Sequence, residues 1–262
     1  MVKLQAHRGV SSEYPENTVA AFRASVEEGY DLIECDLKYT KDGEIVVLHD
    51  PTVNRTARKQ NGERIADPLR IDHITLAEAR ELEYGSWKHE RFKGEPIPTL
   101  AELLDFAAQS GIPIKIDNCW ERFPDEIKES MFSQIEARGE AVKVGFTCAK
   151  LETLKLAADR FPNAMIHYDG GDLSRERLDQ VAELAKGHPL AIWVGFDNDM
   201  TRWFQGTKAT AEVCSFVRTY GELGVWILSR REELEPAIRE FGAEIIETTG
   251  HIKPQWLEDF EA

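Results

Sequence analysis

The chain has 262 residues, of which 42% are hydrophobic, and it carries a formal net charge of −15. This composition suits one large α/β domain, with two small domains as the alternative, and it argues against disorder. An acidic surface repels phosphate backbones, so we do not expect a nucleic-acid partner. The sequence leaves the oligomeric state open.

Nothing in the sequence predicts membrane insertion or export. No stretch reaches the roughly 18 apolar residues of a membrane span, and no signal-peptide pattern precedes the first predicted strand. The four cysteines, Cys35, Cys119, Cys148 and Cys214, are scattered without a CxxC pair. Reduced thiols and a cytoplasmic location are therefore expected.

Strand-like and helix-like segments alternate along most of the chain. Strands are predicted at residues 2–6, 31–36, 112–117, 141–147, 164–168, 190–196, 225–228 and 243–247. Helices are predicted at residues 17–29, 99–111, 124–138, 150–161, 174–187, 207–221 and 231–242. Eight strands alternating with helices predict a parallel TIM (β/α)8 barrel. A doubly wound open sheet is the alternative, although no GxGxxG or Walker loop follows the first strand.

A hairpin and an insertion interrupt this alternation after the second strand. Asp42-Gly43 marks a two-residue hairpin turn, and folding about it sets Asp36 opposite His49 in an arm at the barrel mouth. Residues 51–98 are predicted to form a small insertion that acts as a lid, within a single domain spanning 1–262. The alternative is a surface excursion away from the site. One helix is expected there, at 75–82, with a capping box from Thr75 and Glu78.

Two histidines and two carboxylates follow the first apolar runs. His7, Glu34, Asp36 and His49 each close a short strand-like segment, and strand ends are where a barrel gathers its chemistry. Glu34 and Asp36 point to one face of their strand and could hold a divalent metal. His7 and His49 could share acid and base duties near neutral pH. The pattern predicts a metal-dependent hydrolase.

Further candidates lie on later strands. Asp117 is the predicted third ligand, and an all-oxygen set favours Mg²⁺ or Ca²⁺ over zinc; a strand-end cap is its alternative role. Lys115, one layer deeper, could pair with a ligand carboxylate or face the substrate. Arg8 offers a fork-shaped cation suited to phosphate. His167 and Trp226 either line the mouth as substrate contacts or pack in the core.

Seven short motifs occur in order along the chain: His7-Arg8-Gly9, Pro15-Glu16-Asn17-Thr18, Glu34-x-Asp36, Asp42-Gly43, His49-Asp50-Pro51, Asn54-Arg55-Thr56 and Ile97-Pro98-Thr99-Leu100. Together they closely resemble the glycerophosphodiester phosphodiesterase family. The resemblance implies a TIM barrel that hydrolyses glycerophosphodiesters to an alcohol and glycerol 3-phosphate with a divalent cation. A cyclic phosphate is the expected intermediate.

The resemblance also implies roles for individual residues. His7 and His49 would be the acid–base pair, Glu34 and Asp36 the metal ligands, and Arg8 a phosphate contact. Which histidine is the acid is left open.

The chain departs from the family pattern at two strands. The family carries Glu-x-Lys where this chain has Asp117-Asn118-Cys119, so Cys119 removes a cation for which Lys115 could compensate. A rival register would set Lys115 against the family glutamate. The family's Trp-Thr-Val-Asn is Trp226-Ile227-Leu228-Ser229 here. Because of these changes, the sequence does not predict which alcohol head group the substrate carries.

Two alternative functions follow. One is a phosphodiesterase acting on lipids, similar to lysophospholipase D and sphingomyelinase D. The other is a non-catalytic binding protein on a decayed barrel.

Overall fold

The computed structural model describes residues 1–260. In chain order, the strands are β1 (Lys3–His7), β2 (Leu32–Cys35), β3 (Leu37–Tyr39), β4 (Ile45–Val47), β5 (Arg58–Lys59), β6 (Leu82–Glu83), β7 (Ile114–Ile116), β8 (Val144–Cys148), β9 (Met165–Tyr168), β10 (Leu190–Gly195), β11 (Glu222–Leu228) and β12 (Ile245–Thr248). The α-helices are α1 (Val19–Glu28), α2 (Leu76–Ala79), α3 (Leu100–Ser110), α4 (Asp125–Glu136), α5 (Leu151–Arg160), α6 (Arg175–Leu184) and α7 (Ala211–Val217).

Eight parallel strands close into a barrel in the order β1-β12-β11-β10-β9-β8-β7-β2. The predicted TIM barrel is confirmed. Every residue of β8 and β10 is buried, as expected for parallel strands that have side chains packed against both faces. Within residues 1–260, we find no helix with both the length and the apolar character needed to cross a membrane.

Helix boundaries follow local chemistry. Helix α3 begins at a capping box between Thr99 and Glu102 and ends at Gly111, which has a φ of 73°. The predicted helix at 207–221 is shorter, because Thr210 caps it and only Ala211–Val217 is α-helical. The segment predicted as a helix at 231–242 is helical over residues 231–240, but it is not a regular α-helix. It begins as a 3-10 turn and ends as a π-helical turn at Pro236, which lacks the N–H that a continuous α-helix needs.

Strands β3 and β4 form an antiparallel pair, but the predicted register is wrong by one residue. Leu37 pairs with Val47, and the Leu48 N–H donates to the Asp36 carbonyl at 2.9 Å. Asp36 therefore lies opposite Leu48 instead of His49. The cause is a longer turn over residues 41–43, in which Gly43 adopts a φ of 81°.

The insertion at 51–98 has an apolar core of its own. Its buried members, shared with the hairpin, are Val46, Leu48, Val53, Ala57, Ile71, Ile74, Ala79, Tyr84 and Ile97. The capping box between Thr75 and Glu78 forms as predicted and begins the short helix α2. The insertion is thus a packed unit resting on β4, while its role as a lid and the single-domain organisation stay predictions.

Candidate active site

His7 ends β1 beside Glu34, its register partner on β2. The two side chains approach to 4.0 Å between Nε2 and Oε2. Burial lowers the pKa of His7 to about 4, against the opposing effect of the nearby Glu247 charge. The imidazole is therefore neutral near pH 7 and suited to accept a proton. Its Nδ1 atom is buried and has no hydrogen-bond partner within residues 1–260.

Arg8 joins the strand ends through a strained turn. Its φ is 58°, and Gly9 follows with a φ of 77°. The Arg8 backbone N–H donates to Glu34 Oε2 at 2.9 Å, and its Nη1 donates to Glu16 Oε1 at 3.0 Å. Arg8 Nε lies 3.0 Å from Asp36 Oδ2 as an ion pair that is not aligned for a hydrogen bond. One residue thereby contacts two of the three predicted metal ligands, Glu34 and Asp36.

Asn17 supports the same carboxylate. It adopts a φ of 57°, and its Nδ2 donates to Asp36 Oδ2 at 2.8 Å. Burial alone would raise the pKa of Asp36, but Arg8 and His49 outweigh it and hold that pKa below its usual value. Asp36 is therefore ionised. Because Asn17 is used in this way, Thr18 caps α1 in its place, and the prediction of a helix starting at Asn17 is wrong.

Four carboxylates crowd this end of the barrel. The pKa of Glu34 is raised well above its usual value by burial and then by Asp36, Glu247 and Asp117. Burial and the Asp36 charge raise the pKa of Asp117 to about 6. The side chains of the three predicted ligands thus interact, although no three His, Cys, Asp or Glu residues in the described part of the chain adopt a metal-holding arrangement. Asp117 as third ligand stays a prediction.

Lys115 and His167 are held inside the barrel by other side chains. Lys115 Nζ lies 3.3 Å from Glu247 Oε2 and 3.7 Å from the ring centre of Trp193. The Gln5 amide donates to the same Glu247 oxygen. The Trp193 indole N–H donates to His167 Nδ1 at 3.1 Å. The sequence places Glu247 at the end of the last apolar strand, but it does not predict the pairing of Glu247 with Lys115.

His49 belongs to a chain of alternating charges. Its Nδ1 lies 2.6 Å from Asp50 Oδ1, and Arg55 donates to Asp50 from Nε at 2.7 Å. Arg55 also donates twice to Glu16, at 2.7 Å each, and Glu16 accepts from Arg8. The network connects His49 to the turn that follows His7. The sequence motifs contained these residues, but their pairing was not predicted.

Trp226 lies in an aromatic wall. Its side chain is buried, 4.8 Å from Phe204 and 6.0 Å from Trp203 between ring centres. Asp169, beside it, has its pKa raised to about 7 by burial. Trp203 is 69% exposed. The wall extends from the carboxylates to solvent, and substrate contact by Trp226 stays a prediction.

Comparison with known proteins decides the family. The sequence profile described as the glycerophosphoryl diester phosphodiesterase family matches residues 7–190, which is more than half of the chain. The chain belongs to the glycerophosphoryl diester phosphodiesterase family. The resemblance seen in the sequence motifs is thereby confirmed.

Curated relatives include members of this family. A glycerophosphodiester phosphodiesterase from Caldanaerobacter subterraneus subsp. tengcongensis is 43% identical over 112 residues, which cover 43% of each chain. The chain therefore spans less than half the length of that relative. A Mycobacterium tuberculosis protein named probable glycerophosphodiester phosphodiesterase 1 is 28% identical over 98% of this chain and 93% of its own length.

Solved structures of family members share the fold. An Oleispira antarctica phosphodiesterase, in complex with the product sn-glycerol-3-phosphate, has a TM-score of 0.75 at 19% identity, covering 99% of this chain and 97% of that one. A glycerophosphodiester phosphodiesterase from Thermotoga maritima has a TM-score of 0.64 at 20% identity, covering 96% of each chain. At these identities the likeness is one of fold.

Proposed function

We propose that this chain hydrolyses glycerophosphodiesters to an alcohol and glycerol 3-phosphate. The observation that carries the proposal is the meeting of His7, Arg8, Glu34 and Asp36 at the carboxyl ends of β1 and β2. His49 lies close enough to lower the pKa of Asp36. The Oleispira antarctica phosphodiesterase that shares this fold was solved with the product sn-glycerol-3-phosphate, which is of the same chemical class as the product proposed for this chain.

Unpartnered buried atoms support a polar ligand at this place. His7 Nδ1 is buried and lacks a hydrogen-bond partner within the part of the chain that the structure describes, and Arg8 Nε faces Asp36 without the alignment of a hydrogen bond. Folded proteins pair nearly all buried polar atoms, so these two neighbouring residues are typical of a binding site. A phosphodiester offers oxygens to both.

The residues suggest how the proton transfers run. In our proposal, neutral His7 accepts the proton of the substrate's glycerol hydroxyl as that oxygen attacks phosphorus. His49 protonates the departing alkoxide, and a cyclic phosphate forms. Water then opens the ring, giving its proton to one imidazole while the ring oxygen takes one from the other. Arg8 would stabilise the phosphoryl oxygens through its positive charge.

Glu34, Asp36 and Asp117 are the residues that would hold a divalent cation. Their oxygens suit Mg²⁺ or Ca²⁺. The pKa values of Glu34 and Asp117 are raised by burial first and then by neighbouring carboxylates, and a cation would offset both effects. Such an ion, when bound, supplies Lewis-acid stabilisation of phosphoryl charge. Both the metal and its identity belong to the proposal.

The test is turnover of glycerophosphocholine and glycerophosphoethanolamine, followed as release of glycerol 3-phosphate. EDTA should abolish release, and Mg²⁺ or Ca²⁺ should restore it. His7→Asn and His49→Asn should each lose at least about 100-fold in kcat, whereas His73→Asn, on an exposed part of the insertion, should not. Full turnover by His7→Asn would overturn the mechanism, and no turnover of any phosphodiester would favour a non-catalytic binding protein.

One observation favours a lipid substrate as the second candidate. Trp203 and Met200 expose apolar surface on the loop after β10, where a lysolipid tail could rest. Comparing lysophosphatidylcholine with glycerophosphocholine separates the two candidates. For a lipid enzyme, Trp203→Ala should weaken turnover of the lysolipid alone. The cytoplasmic location and the lack of a nucleic-acid partner stay predictions.

A further inference from the structure

A second cavity lies at the amino ends of the barrel strands, opposite the candidate active site. Its volume is about 620 Å³, within the range of small-molecule sites. The first residues of several strands border it, among them Lys3, Leu32 and Glu222. The catalytic groups proposed above do not line it.

His167 is a polar residue that lines this cavity and is almost completely buried. It is only 1% exposed, and its Nδ1 accepts a hydrogen bond from the Trp193 indole. An indole nitrogen can only donate, so Nδ1 carries no proton and the ring proton must sit on Nε2. The geometry therefore fixes a neutral imidazole with an N–H donor at Nε2, on the side of the ring that faces Gly145.

Gly145 keeps this donor within reach of the cavity. A Cβ atom on Gly145 would lie 2.5 Å from His167 Nε2, so any side chain there would cover the nitrogen. Leu32 and Met165, which line the cavity and pack in one cluster inside the barrel, are apolar. The inner end is thus an apolar pocket in which His167 offers a hydrogen-bond donor.

The charges around the entrance balance one another. The charged lining residues are Lys3, Lys143 and Arg160, against Glu136, Glu140 and Glu222. Lys3 pairs with Glu222 at 2.8 Å, and Arg160 pairs with Glu136. Positive and negative lining residues are equal in number and the imidazole inside is neutral. The cavity therefore has no excess charge to compensate the desolvation of a charged ligand.

We propose that this cavity binds a small, neutral, largely apolar molecule whose one acceptor oxygen, such as a ketone carbonyl, takes a hydrogen bond from His167 Nε2. The site is separate from the phosphodiester site and does not depend on the proposed function.

The experiment uses the full chain, one fluorescent probe and two competing ligands. The neutral fluorophore 1-N-phenylnaphthylamine should bind saturably, and 2-nonanone should displace it. Nonanoate, which has the same chain length and a negative charge, should displace it at least roughly tenfold less effectively. In ¹H–¹⁵N spectra, 2-nonanone should shift the His167 Nε2–H resonance and leave the other histidines unshifted.

Two variants test the site. Met165→Trp should fill the cavity, abolish fluorophore binding and leave glycerophosphodiester turnover, if present, within twofold. His167→Phe, checked for folding by circular dichroism, should weaken 2-nonanone binding roughly fivefold, the loss expected for one hydrogen bond.

Four results would each overturn the proposal. They are no saturable binding to the wild-type chain, binding that survives Met165→Trp, equal displacement by nonanoate, and unchanged ketone affinity in His167→Phe.

Discussion

Asp50→Asn is the sharpest test of how the site holds His49. Asp50 accepts from His49 Nδ1 through one oxygen at 2.6 Å and from Arg55 Nε through the other at 2.7 Å. Burial opposes ionisation, but Arg55 and His49 lower the pKa of Asp50 to about 2. An asparagine removes the charge that orients the imidazole of His49.

The size of the effect follows from exposure. A buried aspartate in a comparable role can be worth about 10⁴ in kcat, but the side chains of Asp50 and His49 are 23% and 43% exposed. Solvent screening reduces the expected loss in kcat to about 10- to 100-fold, equivalent to about 1.4–2.8 kcal/mol of barrier. Stability should change by at most about 1 kcal/mol, because the ion pairs are exposed.

The assay is steady-state turnover of glycerophosphocholine together with urea unfolding. Asp72→Asn is a matched control, because Asp72 is 25% exposed, accepts two hydrogen bonds from Arg70 and lies 4.0 Å from a histidine, His73. It should cost similar stability and leave kcat within twofold. The reasoning is refuted if Asp50→Asn keeps more than half of the wild-type kcat, or if both variants lose activity equally.

Three further predictions concern stability and the substituted strand. The folded-state pKa of His7, about 4, lies below its ordinary 6.5, so the unfolded chain binds the proton first. The free energy of unfolding should fall by up to about 3 kcal/mol as pH drops from 6.5 to 4. Urea unfolding should show a smaller fall over the same pH range for His7→Asn than for the wild-type chain. Lys115→Met should destabilise by about 3 kcal/mol because it leaves Glu247 buried and unpaired; Lys115→Met with Glu247→Gln should recover much of that loss, and a non-recovering double variant would contradict the pairing. Cys119→Lys should raise kcat/KM on glycerophosphodiesters severalfold if the missing family cation is a true loss, and an unchanged or lower rate would mean that Lys115 or another group already supplies it.

The barrel could be predicted because its signal is repeated. Each strand is a short apolar run and each helix has a cap or a periodic face, so errors of a few residues at the ends do not change the topology. The hairpin register depended on a single turn, and one additional residue at Gly43 shifted the pairing of Asp36. Helix propensity likewise could not anticipate that Asn17 would adopt a left-handed conformation and hydrogen-bond to Asp36.

Motifs identified the candidate site residues but not their pairing. Glu247 meets Lys115 across the barrel although 132 positions separate them in the chain, and no local pattern encodes such a contact. The sequence predicts His167 either as a substrate contact at the mouth or as a packed core residue. In the structure it is buried, and its Nε2 lies beside Gly145 and the cavity at the opposite end of the barrel.

The two candidate acid–base groups should respond differently to ionic strength. His7 is positioned by buried backbone and carboxylates, which mobile ions reach poorly, whereas His49 depends on Asp50 and Arg55, whose side chains are 23% and 42% exposed. Salt near physiological concentration screens exposed charges beyond about 8 Å and weakens pairs within that range. Added salt should therefore weaken the contacts that position His49, while the barrel and the position of His7 remain unchanged.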